Sequence, residues 1–157
     1  MRKRIIVQGT QSIIFPAEDW LDLESSAQAE LTSEDASHPI ESALKPGVGS
    51  GWRASEPGQQ TVRLLFDKPL RVKHVHIEFH EDEQPRTQEF FLRWSSDGGR
   101  SFREMVRQQY NFSPPGNARE IEDYEVDLVG LTVLEIFISP DISGGSARAS
   151  ISELRLA

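Results

Sequence analysis

A chain of 157 residues with 17 Lys and Arg against 25 Asp and Glu, and hence a net charge of −8, is long enough for one domain with one core. That charge repels phosphate backbones at long range, which argues against nucleic acid as a partner. The absence of cysteine excludes disulfides, thiolate nucleophiles and Cys-based zinc sites, and no apolar stretch approaches the roughly 18 residues of a membrane-spanning helix.

The start, Met-Arg-Lys-Arg, is followed only by Ile5-Ile6-Val7 before Gln8 and Gly9, too short for the apolar core of an export signal, which needs about 7–15 residues. The expected location is therefore cytoplasmic. Residues 1–26 are read as an N-terminal strand, Lys3–Gln8, and a connecting segment packed on the rest of a single domain spanning 1–157. Further along, short apolar or β-branched stretches recur between Gly, Pro, Asp and Ser. They predict strands at Ala27–Ser33, Gly51–Ala54, Thr61–Asp67, Arg71–Phe79, Gln88–Ser95, Phe102–Phe112, Glu120–Leu128, Thr132–Ser139 and Ala147–Leu156. A turn or two around His38–Leu44 is the one helical signal. Ten short strands with no internal repeat indicate an antiparallel sandwich or barrel.

Within these elements, Val62, Leu64 and Phe66 alternate with Thr61, Arg63 and Asp67, as in a strand with one face in the core; Leu65 breaks the pattern. Leu131–Ser139 is apolar on both parities apart from Glu135, which suits a central strand with a second layer near each face. The Gly-rich loop Gly47–Gly51 lacks the Lys-Ser/Thr of a phosphate cradle and leads into Trp52, read as a core anchor.

In Lys73–Glu83 the histidines His74, His76 and His80 share a parity with Glu78, while Val75, Ile77 and Phe79 take the core-like parity. Two histidines at i and i+2 of a strand can chelate a metal, but no histidine follows His80 to complete a set and the parity turns the imidazoles outward. A solvated polar face is the default, and no metal is expected.

Ser95-Ser96-Asp97-Gly98-Gly99-Arg100-Ser101 lies between two strand-like runs, and its glycines tolerate the positive φ angles of a tight hairpin. Asp97 is placed to accept bonds from nearby backbone amides. With the turn near Gly98, Trp94 faces Phe102, Phe90 faces Val106 and Glu89 faces Arg107. Phe90, Leu92, Trp94, Phe102, Val106, Tyr110 and Phe112 then form a mostly apolar core face. The opposite face carries Glu89, Arg93, Arg103, Arg107, Gln109 and Asn111, with Phe91 and Met105 among them.

Several short motifs, in order, resemble the discoidin family, the coagulation factor five/eight type C domains of the galactose-binding-like jelly rolls. They are Ala36–Ser55 with its loop and Trp52, Gln59–Phe79 as two strands about Asp67-Lys68-Pro69, the Trp94–Phe102 hairpin, and the closing Ala149–Leu156. Arg86–Arg93 with Val106–Pro114 is also similar to a group of small bacterial proteins of this fold. The resemblance implies an all-β, antiparallel β-sandwich that binds sugars, phospholipid head groups or protein surfaces without catalysis. Lys45-Pro46 stands where the family has an Asp-Gly that helps cage a structural calcium, a departure that counts against that ion, and no cofactor is expected.

Planar polar groups pair with sugar hydroxyls while an aromatic ring covers the pyranose face. Arg93, Arg107, Gln109 and Asn111 supply the polar groups, with Arg86, Tyr110 or Phe112 near their ends. The expected site is Arg86, Arg93, Arg107, Gln109, Tyr110 and Asn111, with carbohydrate as ligand. Two other readings stand beside it: a Glu89–Arg107 ion pair on a face that merely stays solvated, or a face covered by a loop, a protein partner or a second protomer.

Overall fold

A computed structural model describes residues 2–3, 20–45 and 50–157, so the predicted strand Lys3–Gln8 and the glycines Gly47 and Gly49 lie largely outside the described residues. The elements are α1 (Leu23–Ser26), β1 (Ala27–Leu31), α2 (Glu41–Leu44), β2 (Trp52–Pro57), β3 (Gln60–His80), β4 (Arg86–Ser95), β5 (Arg103–Phe112), β6 (Arg119–Ser139), β7 (Arg148–Ile151) and β8 (Glu153–Leu156). All strand pairings are antiparallel: one sheet runs β1-β3-β6-β4-β5 with β8 also on β3, and β2 pairs β7.

Two pairs of expected strands are single strands. Thr61–Asp67 and Arg71–Phe79 are the halves of β3, and Glu120–Leu128 and Thr132–Ser139 are the halves of β6. The β3–β6 register slips between Leu65 and His74, and such irregularities bend a strand and change which parity faces inward. Burial follows: Val62, Leu64 and Phe66 are buried before the slip, Val75, Ile77 and Phe79 after it. The sheet thereby folds over on itself, and Phe79 of β3 meets Phe90 of β4 with ring centroids 4.8 Å apart. Trp52 is fully buried as a core anchor and its Nε1 donates to the Ser33 carbonyl at 3.2 Å.

The hairpin forms where its glycines allow it, with Gly98 at φ +75° and Gly99 at φ +93°. Asp97 Oδ1 accepts from the Ser101 amide at 2.9 Å and from Ser95 Oγ at 2.6 Å, and Asp97 Oδ2 accepts from Ser101 Oγ at 2.6 Å. Those bonds, led by the Ser101 hydroxyl, hold the Asp97 carboxyl well below the usual range. The strand register differs from the expected one by two residues away from the turn, pairing Phe90 with Gln108 and Phe91 with Arg107. Nearer the turn, a bulge inserts Met105 between the Leu92–Val106 and Arg93–Glu104 pairs. One extra residue flips the parity beyond it. Phe102 therefore lies against the Arg93 guanidinium, 4.0 Å from its carbon, and Arg103 stands over Trp94. Met105 packs against the core instead of joining the polar face.

On β6, Leu134, Ile136 and Ile138 enter the core, as expected for a central strand. Among the described residues the other face is covered by long side chains: Arg63 and Arg93 close on the buried Glu135, and Phe91 stacks on Phe137 at 4.8 Å.

Candidate functional site

Of the six residues expected to form the site, the fold brings Arg93, Arg107, Gln109 and Asn111 onto one sheet face and turns Arg86 and Tyr110 away from it. Arg86 is buried, donating to Glu81 Oε1 at 2.6 Å, Gln88 Oε1 at 3.0 Å and the Pro140 carbonyl at 2.7 Å. Tyr110 is partly buried against the core, its hydroxyl donating to the Arg119 carbonyl at 2.8 Å. The four remaining groups bond one another's neighbours. Arg107 donates to Glu89 at 2.8 Å and to Glu104 at 2.7 Å and lies over the Phe91 ring; Gln109 donates to Glu89 at 2.8 Å. Asn111 accepts from the Thr87 hydroxyl at 2.7 Å, and Arg93 is spent on Glu135. The Glu89–Arg107 ion pair is present although the two residues sit diagonally rather than directly opposite.

A concave site lies elsewhere, at the end of the sandwich where β2 and β7, the turn after β3 and the start of β6 converge. It is an open cavity of about 570 Å³ lined by His38, Arg53, His80, Glu83, Arg119 and Arg148, among others. Each wall has its own support. The Asp35–His38 turn is laced to β2 by the Asp35 amide on the Arg53 carbonyl at 2.8 Å and by the Arg53 amide on the His38 carbonyl at 3.1 Å. Glu81 organises the turn after β3, accepting from the Glu83 amide at 2.9 Å and from Arg86. Burial works to raise the Glu81 carboxyl, but those bonds outweigh it and keep it below the usual range. Arg148 and Ser150, two apart on β7, present the same strand face to the cavity. These residues are spread over more than a hundred positions, and no local motif joins them.

The calcium loop of the resemblance has an internal cation. Arg155, buried in β8, donates to the carbonyls of Ala43 at 3.1 Å, Lys45 at 2.8 Å and Leu154 at 3.0 Å and pairs with Glu153. Carbonyls with one carboxylate are the donor set of a hard cation; here a guanidinium takes it, and burial draws the Arg155 pKa below the usual range.

Of the three histidines on this face only His80 is exposed. His74 is 1% exposed and His76 partly buried, with the Trp20 ring 5.2 Å and 6.1 Å from their ring centres. The imidazoles do point away from Val75 and Ile77, but Asp123, directly opposite His76 on β6, meets both at 2.7 Å.

No protein-family model and no curated protein matches this sequence. Solved structures do match. A family 32 carbohydrate-binding module from C. perfringens NanJ, in complex with galactose, superposes with a TM-score of 0.60 at 17% identity, covering 86% of this chain and 96% of the other. A second such module, from a family 31 glycoside hydrolase of Clostridium perfringens, gives 0.63 at 16%, covering 89% and 95%. The fold is a discoidin-like jelly roll. Reduced XRCC1 bound to the DNA polymerase β catalytic domain shares the jelly roll, with a TM-score of 0.55 at 17% identity over 82% of this chain and 92% of the other.

Proposed function

We propose that this jelly roll is a non-catalytic carbohydrate-binding module and that a sugar enters the cleft at the end of the sandwich. The observation that carries the reading is the cleft itself: guanidinium, imidazole and carboxylate groups converge on a concavity of about 570 Å³, within the size of small-ligand sites. Arg53, Arg119 and Arg148 offer planar forks and Asp82 and Glu83 offer acceptors, the mixture that hydroxyl groups, at once donors and acceptors, pair with. The galactose held by the NanJ module and the pectin bound by another similar module support the ligand class. On the Arg107 face the groups already satisfy one another at 2.7–2.8 Å, so a sugar there would have to break charge-assisted bonds.

The test is a glycan array followed by calorimetry on the hits, with Arg148→Ala and His80→Ala in the cleft and Arg107→Ala on the sheet face. Loss of binding in the cleft variants with Arg107→Ala unaffected is expected. Binding that disappears only in Arg107→Ala moves the sugar to the face, and no retained glycan at millimolar concentration removes the reading.

A protein-interaction role is the second reading. It is favoured by the partner seen on the XRCC1 jelly roll and by β5, an edge strand of ten residues without proline, since an unpaired edge accepts an added strand. A mass in solution that grows with concentration, or capture of an extended peptide, would favour it.

A further inference from the structure

We propose that His74, His76 and Asp123 form a binding site for a zinc-class divalent cation, independent of the sugar cleft. His74 Nε2, His76 Nδ1 and an Asp123 oxygen lie within 4.8 Å of one another, and both imidazoles aim at the same atom, Asp123 Oδ1, at 2.7 Å. The strand pairing produces this convergence: i and i+2 of β3 share a face, and Asp123 is the cross-strand neighbour of His76.

The second ring nitrogen of His76 decides between a hydrogen-bonded cluster and a metal site. Nε2 lies 3.3 Å from Glu78 Oε1 and 3.7 Å from Glu153 Oε2, so carboxylates face His76 at both ends. A neutral imidazole has one N–H and one lone pair, and serves only one of them. A cation between Nδ1 and Asp123, with Nε2–H donating to Glu78, serves both ends of the ring. This is the carboxylate–histidine–metal arrangement that orients ligands in metal sites. Arg119 and Arg155 engage Glu78 and Glu153 through the oxygens that do not face His76, which holds those two carboxylates as acceptors for the ring and leaves Asp123 to the metal.

Two imidazoles and one carboxylate form a borderline donor set that suits Zn(II), Co(II) or Ni(II) over calcium or magnesium. Tetrahedral bonds of about 2.0–2.1 Å put ligand atoms about 3.3 Å apart. Each imidazole would therefore move outward from Asp123 by roughly 0.6 Å, a side-chain adjustment. Among the described residues these three are the protein ligands, against the four of a tetrahedral site.

Zinc chloride titrated by calorimetry into protein freed of metal with a chelator should give one saturable site of micromolar affinity or better. Asp123→Asn and His76→Gln should each weaken it by at least about tenfold, and His80→Gln, on the more exposed end of the same strand, should leave it unchanged. Cobalt(II) added to the wild-type chain should develop the intense visible bands of a tetrahedral site, which keeps the proposal testable if a variant fails to fold. No saturation by about 100 µM zinc, equal affinity in Asp123→Asn, loss in His80→Gln, or the pale spectrum of hydrated cobalt overturns it.

Discussion

Glu135 is 3% exposed in the centre of the sheet, and removing its partners tests how the outer face is held. Arg63 reaches Oε2 through Nε at 2.9 Å and Nη2 at 2.8 Å, and Arg93 reaches Oε1 through Nε at 2.7 Å and Nη2 at 2.6 Å. Each arginine thus gives two charge-assisted bonds. Because both arginine side chains are 38% exposed, solvent screening reduces their worth, and Arg63→Ala or Arg93→Ala alone should cost about 1–2 kcal/mol. The double variant leaves a buried carboxylate without a counter-ion. It should cost about 4–6 kcal/mol, more than the sum of the singles, because the last partner lost exposes the full desolvation penalty. Glu135→Ala, in contrast, leaves Arg63 on Glu30 at 3.0 Å and frees Arg93 toward water, and should cost only about 1–2 kcal/mol. Removing both arginines is therefore worse than removing the residue they serve. Urea denaturation of all four variants at pH 7 measures this order. Additive costs, or a Glu135→Ala loss equal to that of the double variant, would refute the reasoning.

Other outcomes follow from single positions. Glu120 is buried with Glu122 beside it, and burial first, then that neighbour, push its carboxyl up to about 8. A raised folded-state value means stability present below about pH 4.5 is lost as pH rises toward 8, so Glu120→Gln should gain at least about 1 kcal/mol at pH 8 and flatten the pH profile of denaturation. Arg155→Ala strips the bonds from the Ala43, Lys45 and Leu154 carbonyls and should cost about 2–4 kcal/mol, or a fall in Tm of about 4–16 °C by calorimetry. A smaller change would mean that water satisfies those carbonyls equally well. At Gly51, with φ +80°, a Cβ would run into the Ile151 carbonyl oxygen and crowd Ser152. Gly51→Ala should therefore cost more than about 2 kcal/mol in a chemical melt, against a smaller cost of about 1 kcal/mol for Gly58→Ala, which meets a similarly unfavourable φ (+90°) but open surroundings.

Much of this architecture is set by local preference. Alternation in Thr61–Phe66, the Asp97 turn, and the split between Phe90 and Leu92 on one face and Arg107 and Asn111 on the other depend on side chains a few residues apart, so the amino-acid order determines them. The all-β class follows from the same signals, while the likeness to discoidin domains rests on the resemblance of short motifs in order. What the order could not determine is whatever depends on a change of register. The Met105 bulge moves Phe102 to the outer face, and the slip between Leu65 and His74 makes one bent strand of two expected ones. The first is a single one-residue bulge and the second a run of three register shifts, and neither has a strong local signature. Nor could it bring Asp123 to His76, Arg155 to the carbonyls of Ala43 and Lys45, or Arg148 to His38 and His80 across one cleft. Those meetings join positions up to 112 apart in the chain, and their register is fixed only when the layers close over a shared core.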